Sequence, residues 1–284
     1  MIHLPSRPTR RRMLQTSAGA LLAGGLWPGR AWADAAPDAG AFTFLCVNDL
    51  HYFDKKGDDF FQRMVRQMND TEDKGPDGKA RARPDFCLVL GDFAEDGTAE
   101  QLGAMRDHLK GLKMPTKFVV GNHDYVELDG RKPFEELFPG PPNYAFDHKG
   151  WQFVGLDTTH GRRGSKTAVQ APTLDWLKDN VPKLDKKRPT VLFTHFPMGW
   201  LVPSQPTNAD AVLTPFKEYN LQAAFCGHFH ASTERHKWDA TITTNKCCSF
   251  YKPNHDFSKD KGYFLCHAKD GDVSRAFVEV RATP

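Results

Sequence analysis

Ala41-Phe42-Thr43-Phe44-Leu45-Cys46-Val47-Asn48-Asp49-Leu50-His51 places an apolar run directly before two side chains able to bind a metal ion. Residues 41–47 read as a buried strand, which puts Asp49 and His51 at its end. The arrangement recurs along the chain. Run 86–90 leads to Gly91-Asp92, and run 117–120 leads to Gly121-Asn122-His123-Asp124. Run 190–193 leads to Thr194-His195, and run 221–225 leads to Gly227-His228-Phe229-His230. A lone Asp-x-His is ordinary, and a histidine beside a strand is usually structural. Five such strings in order, each at a strand end, point instead to one shared site.

The segments between these strings alternate in period. Residues 59–69 space Phe60, Phe61, Met64, Val65 and Met68 as one helix face, and the polar stretch 70–84 then reads as a surface loop. A helix is expected over 98–112, two strands turned at Lys149-Gly150 over 143–157, a loop over 158–172, and helices over 173–180 and 209–219. Beyond His230 the pattern is strands only, roughly 241–251, 262–268 and 274–280, the last two joined by Asp270-Gly271, a strong hairpin signal. Strand, helix, strand alternation of this kind produces a layered α/β fold.

The first residues are set aside from the fold. Thr9-Arg10-Arg11-Arg12-Met13-Leu14 has the pattern of a twin-arginine export signal, the apolar stretch after it is short for a membrane span, and Ala31-Trp32-Ala33 offers a cleavage site. The expected division is a leader at 1–33, one domain at 34–284, no stable membrane anchor after cleavage, a partner in the twin-arginine export machinery, and a periplasmic or secreted product. The leader holds Arg7, Arg10, Arg11, Arg12 and Arg30 and no acid, so the formal charge of +3 belongs to it, and nothing in the remainder argues for a nucleic-acid polymer as partner. Of six cysteines, Cys46, Cys87 and Cys226 sit in apolar runs and read as core. A bridge from Cys247 or Cys248 to Cys266 is left open, since it depends on Cα separation.

The five strings together resemble the signature of the calcineurin-like metallophosphoesterases, Asp-x-His, Gly-Asp, Gly-Asn-His-Glu/Asp, His, Gly-His-x-His, over nearly the whole chain after the leader. The resemblance implies a four-layer αββα sandwich of two mixed sheets, with a dinuclear metal site at the strand C-terminal ends. It implies one ion on Asp49, His51, Asp92 and His230 and a second on Asp92, Asn122, His195 and His228, with Asp92 bridging. Nitrogen and oxygen donors suit iron, manganese or zinc, as divalent or trivalent ions, and the absence of cysteine argues against a closed structural zinc site. It further implies attack on phosphorus by a hydroxide bridging the metals, with His123 protonating the leaving oxygen and Glu95 as its partner. Asp124 is expected to orient loops rather than to ligate.

Departures from the signature narrow the branch. Glu95-Asp96-Gly97 stands where protein serine/threonine phosphatases carry Asp-Arg-Gly, and Glu95 stands where purple acid phosphatases carry a tyrosine ligand. What is left resembles the compact class III cyclic-nucleotide phosphodiesterases. A small phosphodiester is therefore the expected substrate, with a phosphomonoester as the alternative and a non-enzymatic scaffold as the rival from another class. Asn122, Tyr52, Tyr125, Arg162 and Arg163 are the expected substrate contacts, arginine for phosphate and the aromatics for stacking.

Overall fold

Two sheets lie face to face with helices on both outer sides. The computed structural model describes residues 40–71 and 83–281 of the chain; the leader at 1–33 and most of the loop at 70–84 lie outside the described residues. In chain order the elements are β1 (Phe42–Val47), α1 (Asp58–Asp70), β2 (Cys87–Val89), α2 (Ala99–Leu109), β3 (Thr116–Phe118), α3 (Lys132–Leu137), β4 (Tyr144–His148) and β5 (Trp151–Leu156). They continue with α4 (Ala171–Asn180), β6 (Thr190–Thr194), α5 (Ala209–Leu213), β7 (Leu221–Cys226), β8 (Thr233–Lys237), β9 (Ala240–Thr244), β10 (Gly262–Lys269) and β11 (Asp272–Glu279). The first sheet runs β11-β10-β1-β2-β3 and the second β4-β5-β6-β7-β9-β8. Both are mixed: β1, β2 and β3 are parallel, as are β5, β6, β7 and β9, while β4, β8, β10 and β11 pair antiparallel.

Strand β1 shows why the run at 41–47 is apolar without interruption. Phe42, Phe44 and Cys46 point into the layer between the sheets, while Leu45 and Val47 point to the layer beneath α1, α2 and α3. A strand covered on both faces has no solvent side on which to place polar residues. The second sheet is covered the same way, with Val154, Leu156, Leu192 and Ala224 packing on α4 and α5. The layer between the sheets is built from rings. Phe44 stacks on Phe86 at 5.2 Å, Phe146 stacks on Phe153 at 5.0 Å, and the Phe153 ring meets Phe86 edge-on at 5.2 Å.

Of four local departures, three have physical causes. Strand β8, which the apolar pattern does not announce, is Thr-Glu-Arg-His-Lys on the outer edge of its sheet, where no face needs apolar cover. Pro215 breaks the helix expected over 209–219 into α5 and a single 3-10 turn at Thr214–Phe216. Strand β9 stops at Thr244 rather than running on to 251, because the chain crosses to the end of β1, where Cys248 N donates to Asn48 O at 3.0 Å. Strand β3 ends at Phe118, two residues early. The turn Asp270-Gly271 has φ of 53° and 78°, the pair of left-handed residues that the tightest hairpin requires.

All six cysteines are buried free thiols. Cys266 belongs to the layer between the sheets and Cys248 to the helix layer on the other side of the first sheet, which keeps those two apart. Among the described residues no helix is long and apolar enough to cross a membrane. Phe153 is fully buried among four other rings, so Phe153→Ala is expected to lower unfolding free energy by about 3–5 kcal/mol in denaturant titration. A loss under about 1 kcal/mol would mean that the ring layer is not the main apolar core.

Candidate metal centre

The parallel strands of the two sheets end side by side, and the polar strings follow directly. Asp49 and His51 leave β1, Asp92 follows β2, His195 follows β6, and His228 and His230 follow β7. Five of these residues have left-handed backbone: Asp49 at φ 54°, His51 at 45°, Asp92 at 53°, His228 at 65° and His230 at 33°. L-residues rarely adopt this region, and such strain concentrates where function fixes a side-chain direction. The turns hold it with backbone bonds, Asp49 N to Gly91 O at 3.2 Å and His51 N to Asp92 O at 2.9 Å. Gly121 makes the approach possible, since a Cβ there would lie 2.2 Å from Asp92 Oδ1.

Two groups of donors meet at Asp92, beside a third made of His51, Glu95 and His123. Asp49, His51, Asp92 and His230 form one and Asp92, His195 and His228 the other, the donor atoms of each lying within 4.8 Å of one another. Asp92 belongs to both. His51 Nε2 faces His230 Nε2 at 3.2 Å and Asp92 Oδ2 at 3.4 Å, and Asp49 Oδ1 lies 3.3 Å from His230 Nε2. On the other side His195 Nε2 lies 3.4 Å from Asp92 Oδ1 and 3.0 Å from Asn122 Oδ1.

The outer nitrogen of each ring is already committed. His51 Nδ1 donates to Glu95 Oε2 at 2.9 Å, His195 Nδ1 to Leu90 O at 2.8 Å, His228 Nε2 to Gly164 O at 2.8 Å and His230 Nδ1 to Pro253 O at 3.3 Å. Each acceptor fixes its ring's tautomer, so the opposite nitrogen presents a lone pair inward. Four ring nitrogens aimed inward, with two buried carboxylates and the Asn122 carbonyl, are a donor set that fits metal cations.

Without a cation the four rings divide, two kept neutral and two favoured in the charged form. Burial lowers His51 and brings His228 down to about 4, with the charge of His195 adding to the latter, so both rings stay neutral. Burial works against ionised Asp49, but His230 and His195 outweigh it and hold it at about 2. Asp92 is lowered well below the carboxylate range, chiefly by His195 and His123 against the cost of burial. Burial also opposes charge on His195 and His230, yet Asp92 raises the first to about 9 and Asp49 raises the second. The pocket selects positive charge.

Asp124 does not face the cluster. Its carboxylate accepts backbone N–H from Asp92 at 3.0 Å, Phe93 at 2.7 Å, Ala94 at 3.2 Å and Gly121 at 2.8 Å, tying the second and third strings together. His123 stands at the edge of the cluster, partly exposed, with its backbone N–H on Asp92 Oδ1 at 2.8 Å. Its Nδ1 donates to the backbone carbonyl of Glu95 at 2.7 Å. The carboxylate of Glu95 is 3.8 Å from that nitrogen and closer to His51, and it also takes Lys252 Nζ at 2.6 Å. Glu95 thus meets His123 through its main-chain carbonyl and, at longer range, through its carboxylate, which lies nearer to His51.

Four expected substrate contacts are not brought to the cluster. Tyr52 is buried, with its ring on Phe61 and its hydroxyl donating to Asp58 at 2.7 Å. Tyr125 is buried as well, its hydroxyl held by Thr159 and Arg131. Arg162 donates to Tyr125 O, Glu95 O and Asp96, and Arg163 to Asp129 and His160 O, so both guanidiniums are engaged within the protein. Tyr52 directly follows His51, and alternation turns its side chain away from the site that His51 faces. Lys252 and Pro253 were missed, because they reach Glu95 and His230 only through the crossing that ends β9.

The sequence profile of the calcineurin-like phosphoesterases matches residues 42–232. A probable cyclic nucleotide phosphodiesterase of Synechococcus sp. is 32% identical over 118 residues, covering 40% of this chain and 43% of that protein. The chain thus matches less than half the length of that relative. A 3′,5′-cyclic-nucleotide phosphodiesterase of Nostoc sp. is 25% identical over 192 residues, covering 63% of this chain and 68% of its own. Among solved structures, GAP50, the anchor in the inner membrane complex of Plasmodium, superposes with a TM-score of 0.58 over 85% of both chains at 14% identity, a likeness of fold.

Glu95 is held near 2 because His51 and Lys252 outweigh the upward push of burial. Against an unfolded value of roughly 4.3, this carboxylate stabilises the fold above about pH 4.5 and loses that contribution as pH falls toward about 2. In metal-free protein, Glu95→Gln is expected to lower Tm at neutral pH and to flatten the fall of Tm between those limits. Parallel wild-type and variant curves would remove Glu95 from the network.

Proposed function

The chain belongs to the calcineurin-like phosphoesterase family, and on that premise we propose that it hydrolyses a small phosphodiester, a cyclic nucleotide or a compound of similar size, at a two-ion centre. The observation that carries this reading is Asp92, shared between two donor groups with His123 beside it. The cyclic-nucleotide phosphodiesterase activity for which the Synechococcus and Nostoc relatives are named supports the diester over the monoester. One ion is assigned to Asp49, His51, Asp92 and His230 and the other to Asp92, Asn122, His195 and His228, from among iron, manganese and zinc. Such ions supply Lewis acidity toward phosphoryl oxygens and lower the pKa of a bound water.

The remaining steps belong to side chains. Asn122 Oδ1 is turned to His195, which leaves its amide group as a donor for a phosphoryl oxygen. His123 keeps its Nδ1 proton on the Glu95 carbonyl, so Nε2 is the ring atom left to carry a proton for transfer. That nitrogen is the one free to protonate the leaving alkoxide, and the exposed edge of the ring gives the alkoxide a way to reach it. Regeneration needs only proton uptake from solvent at the same atom.

His123→Asn is expected to keep the metal content and lose roughly 10²–10⁴-fold in kcat, whereas Asp92→Asn loses the ions as well, read by elemental analysis and a nitrophenyl phosphodiester assay. Equal, near-wild-type turnover in both variants would sink the proposal, and monoester rates far above diester rates would make the protein a phosphatase. Export is proposed for residues 1–33 with the phosphoesterase domain at 34–284. Replacing Arg11 and Arg12 by lysine is expected to hold the unprocessed chain in the cytoplasm, as fractionation would show; normal processing would refute the twin-arginine reading.

A further inference from the structure

Phe250, Tyr251 and Phe257 stand exposed in a chain that buries most of its rings, Phe257 to 94%. They line a cleft of about 340 Å³ together with Lys252, Asn254 and Lys259. Phe250 and Tyr251 join Phe53 in a connected wall, Phe250 to Tyr251 at 4.8 Å and Tyr251 to Phe53 at 5.7 Å, both edge-on, and Phe257 stands apart from it on the same cleft. Phe53 itself stands two residues beyond His51 in the chain.

The loop carrying this wall is fastened to the candidate metal centre at three points. Lys252 Nζ meets Glu95 at 2.6 Å, Pro253 O accepts from His230 Nδ1, and the His255 ring stacks on His230 at 5.2 Å and 17°. It is also rigid from within. Asn254 is buried, accepting from Cys247 N at 3.0 Å and donating to Asp260 O at 2.8 Å and Ser258 O at 3.1 Å. These bonds hold Phe257 at φ 61°, left-handed backbone that a bulky residue adopts only when its surroundings impose it. The exposed rings are therefore preorganised rather than collapsed on one another.

Charge identifies what the cleft accepts. Lys252 is engaged by Glu95 and Lys261 by Cys247, while Lys259 has no ion pair among the described residues and faces the cleft. Aromatic surface with an ammonium beside it suits an anion that carries a flat ring. Resting on the diesterase reading above, we propose that this cleft is the subsite for the aromatic group of the phosphodiester, a nucleobase or an aryl ring. Phe250, Tyr251 and Phe257 give it ring contacts, and Lys259 adds attraction for the anion.

The test is equilibrium calorimetry on full-length, zinc-loaded protein with adenosine 5′-monophosphate and ribose 5-phosphate, which share a phosphate and differ in the ring. The nucleotide is expected to bind about tenfold tighter, from ring stacking. That ratio is expected to fall below about threefold in Phe250→Ala/Tyr251→Ala and in Phe257→Ala. A ratio near one in wild type, or the same ratio in all three proteins, overturns the subsite. So does loss of sedimentation with phosphatidylcholine–phosphatidylglycerol vesicles in Phe257→Ala at an unchanged ratio, which would make the rings a lipid-facing surface. Cleavage of a ring-free dialkyl diester at the aryl rate defeats the subsite and spares the hydrolase reading. If no diester is cleaved, the hydrolase reading fails, and the affinity ratio still decides whether the cleft takes a ring.

Discussion

Two carboxylates, Asp49 and Asp92, are buried where the ends of two sheets meet, and four imidazoles turn toward them. Ionised groups out of water cost several kcal/mol each unless opposite charge is supplied. Everything around them supplies it or arranges for it. The outer ring nitrogens are tied to carbonyls and to Glu95, the backbone at five positions is forced left-handed, and Gly121 leaves room for Asp92 to come in. Remove the demand for positive charge at this point and these conformations have no compensating gain.

The layered fold serves this demand. Parallel strands end in the same direction, so residues far apart in sequence come together at the sheets' ends without any one segment supplying the site. Each sheet contributes half: Asp49, His51, Asp92 and Asn122 follow strands of the first, and His195, His228 and His230 follow strands of the second. Asp92 and Asn122 lie against His195 across the junction, so the ring layer that fixes the spacing of the sheets also fixes the spacing of the two donor groups.

Most of this was legible before the structure. Apolar runs covered on both faces announce buried strands, and a polar string after each run announces its end, while the resemblance to the family's signature picked the expected donors out of those strings. Edge and loop features were less legible. Strand β8 has no apolar signal because an edge needs none, and Pro215 shortens α5 through a missing N–H rather than through any change in pattern. The contacts of Tyr52, Tyr125, Arg162 and Arg163 depend on where a loop turns, which sequence neighbours do not report. Lys252 lay beyond reach altogether, since only the crossing from β9 to the end of β1 carries it to Glu95.

The bond from His123 Nδ1 to the carbonyl of Glu95 is made to main chain and not to a side chain. A partner of that kind is indifferent to which amino acid occupies position 95, so mutational drift there leaves the tautomer of His123 intact while changing what His51 feels. His123 and His51, whose rings lie 4.7 Å apart, are thus tied to one residue through different atoms, the first to its main chain and the second to its side chain. Only the main-chain tie is carried by every possible occupant of that position.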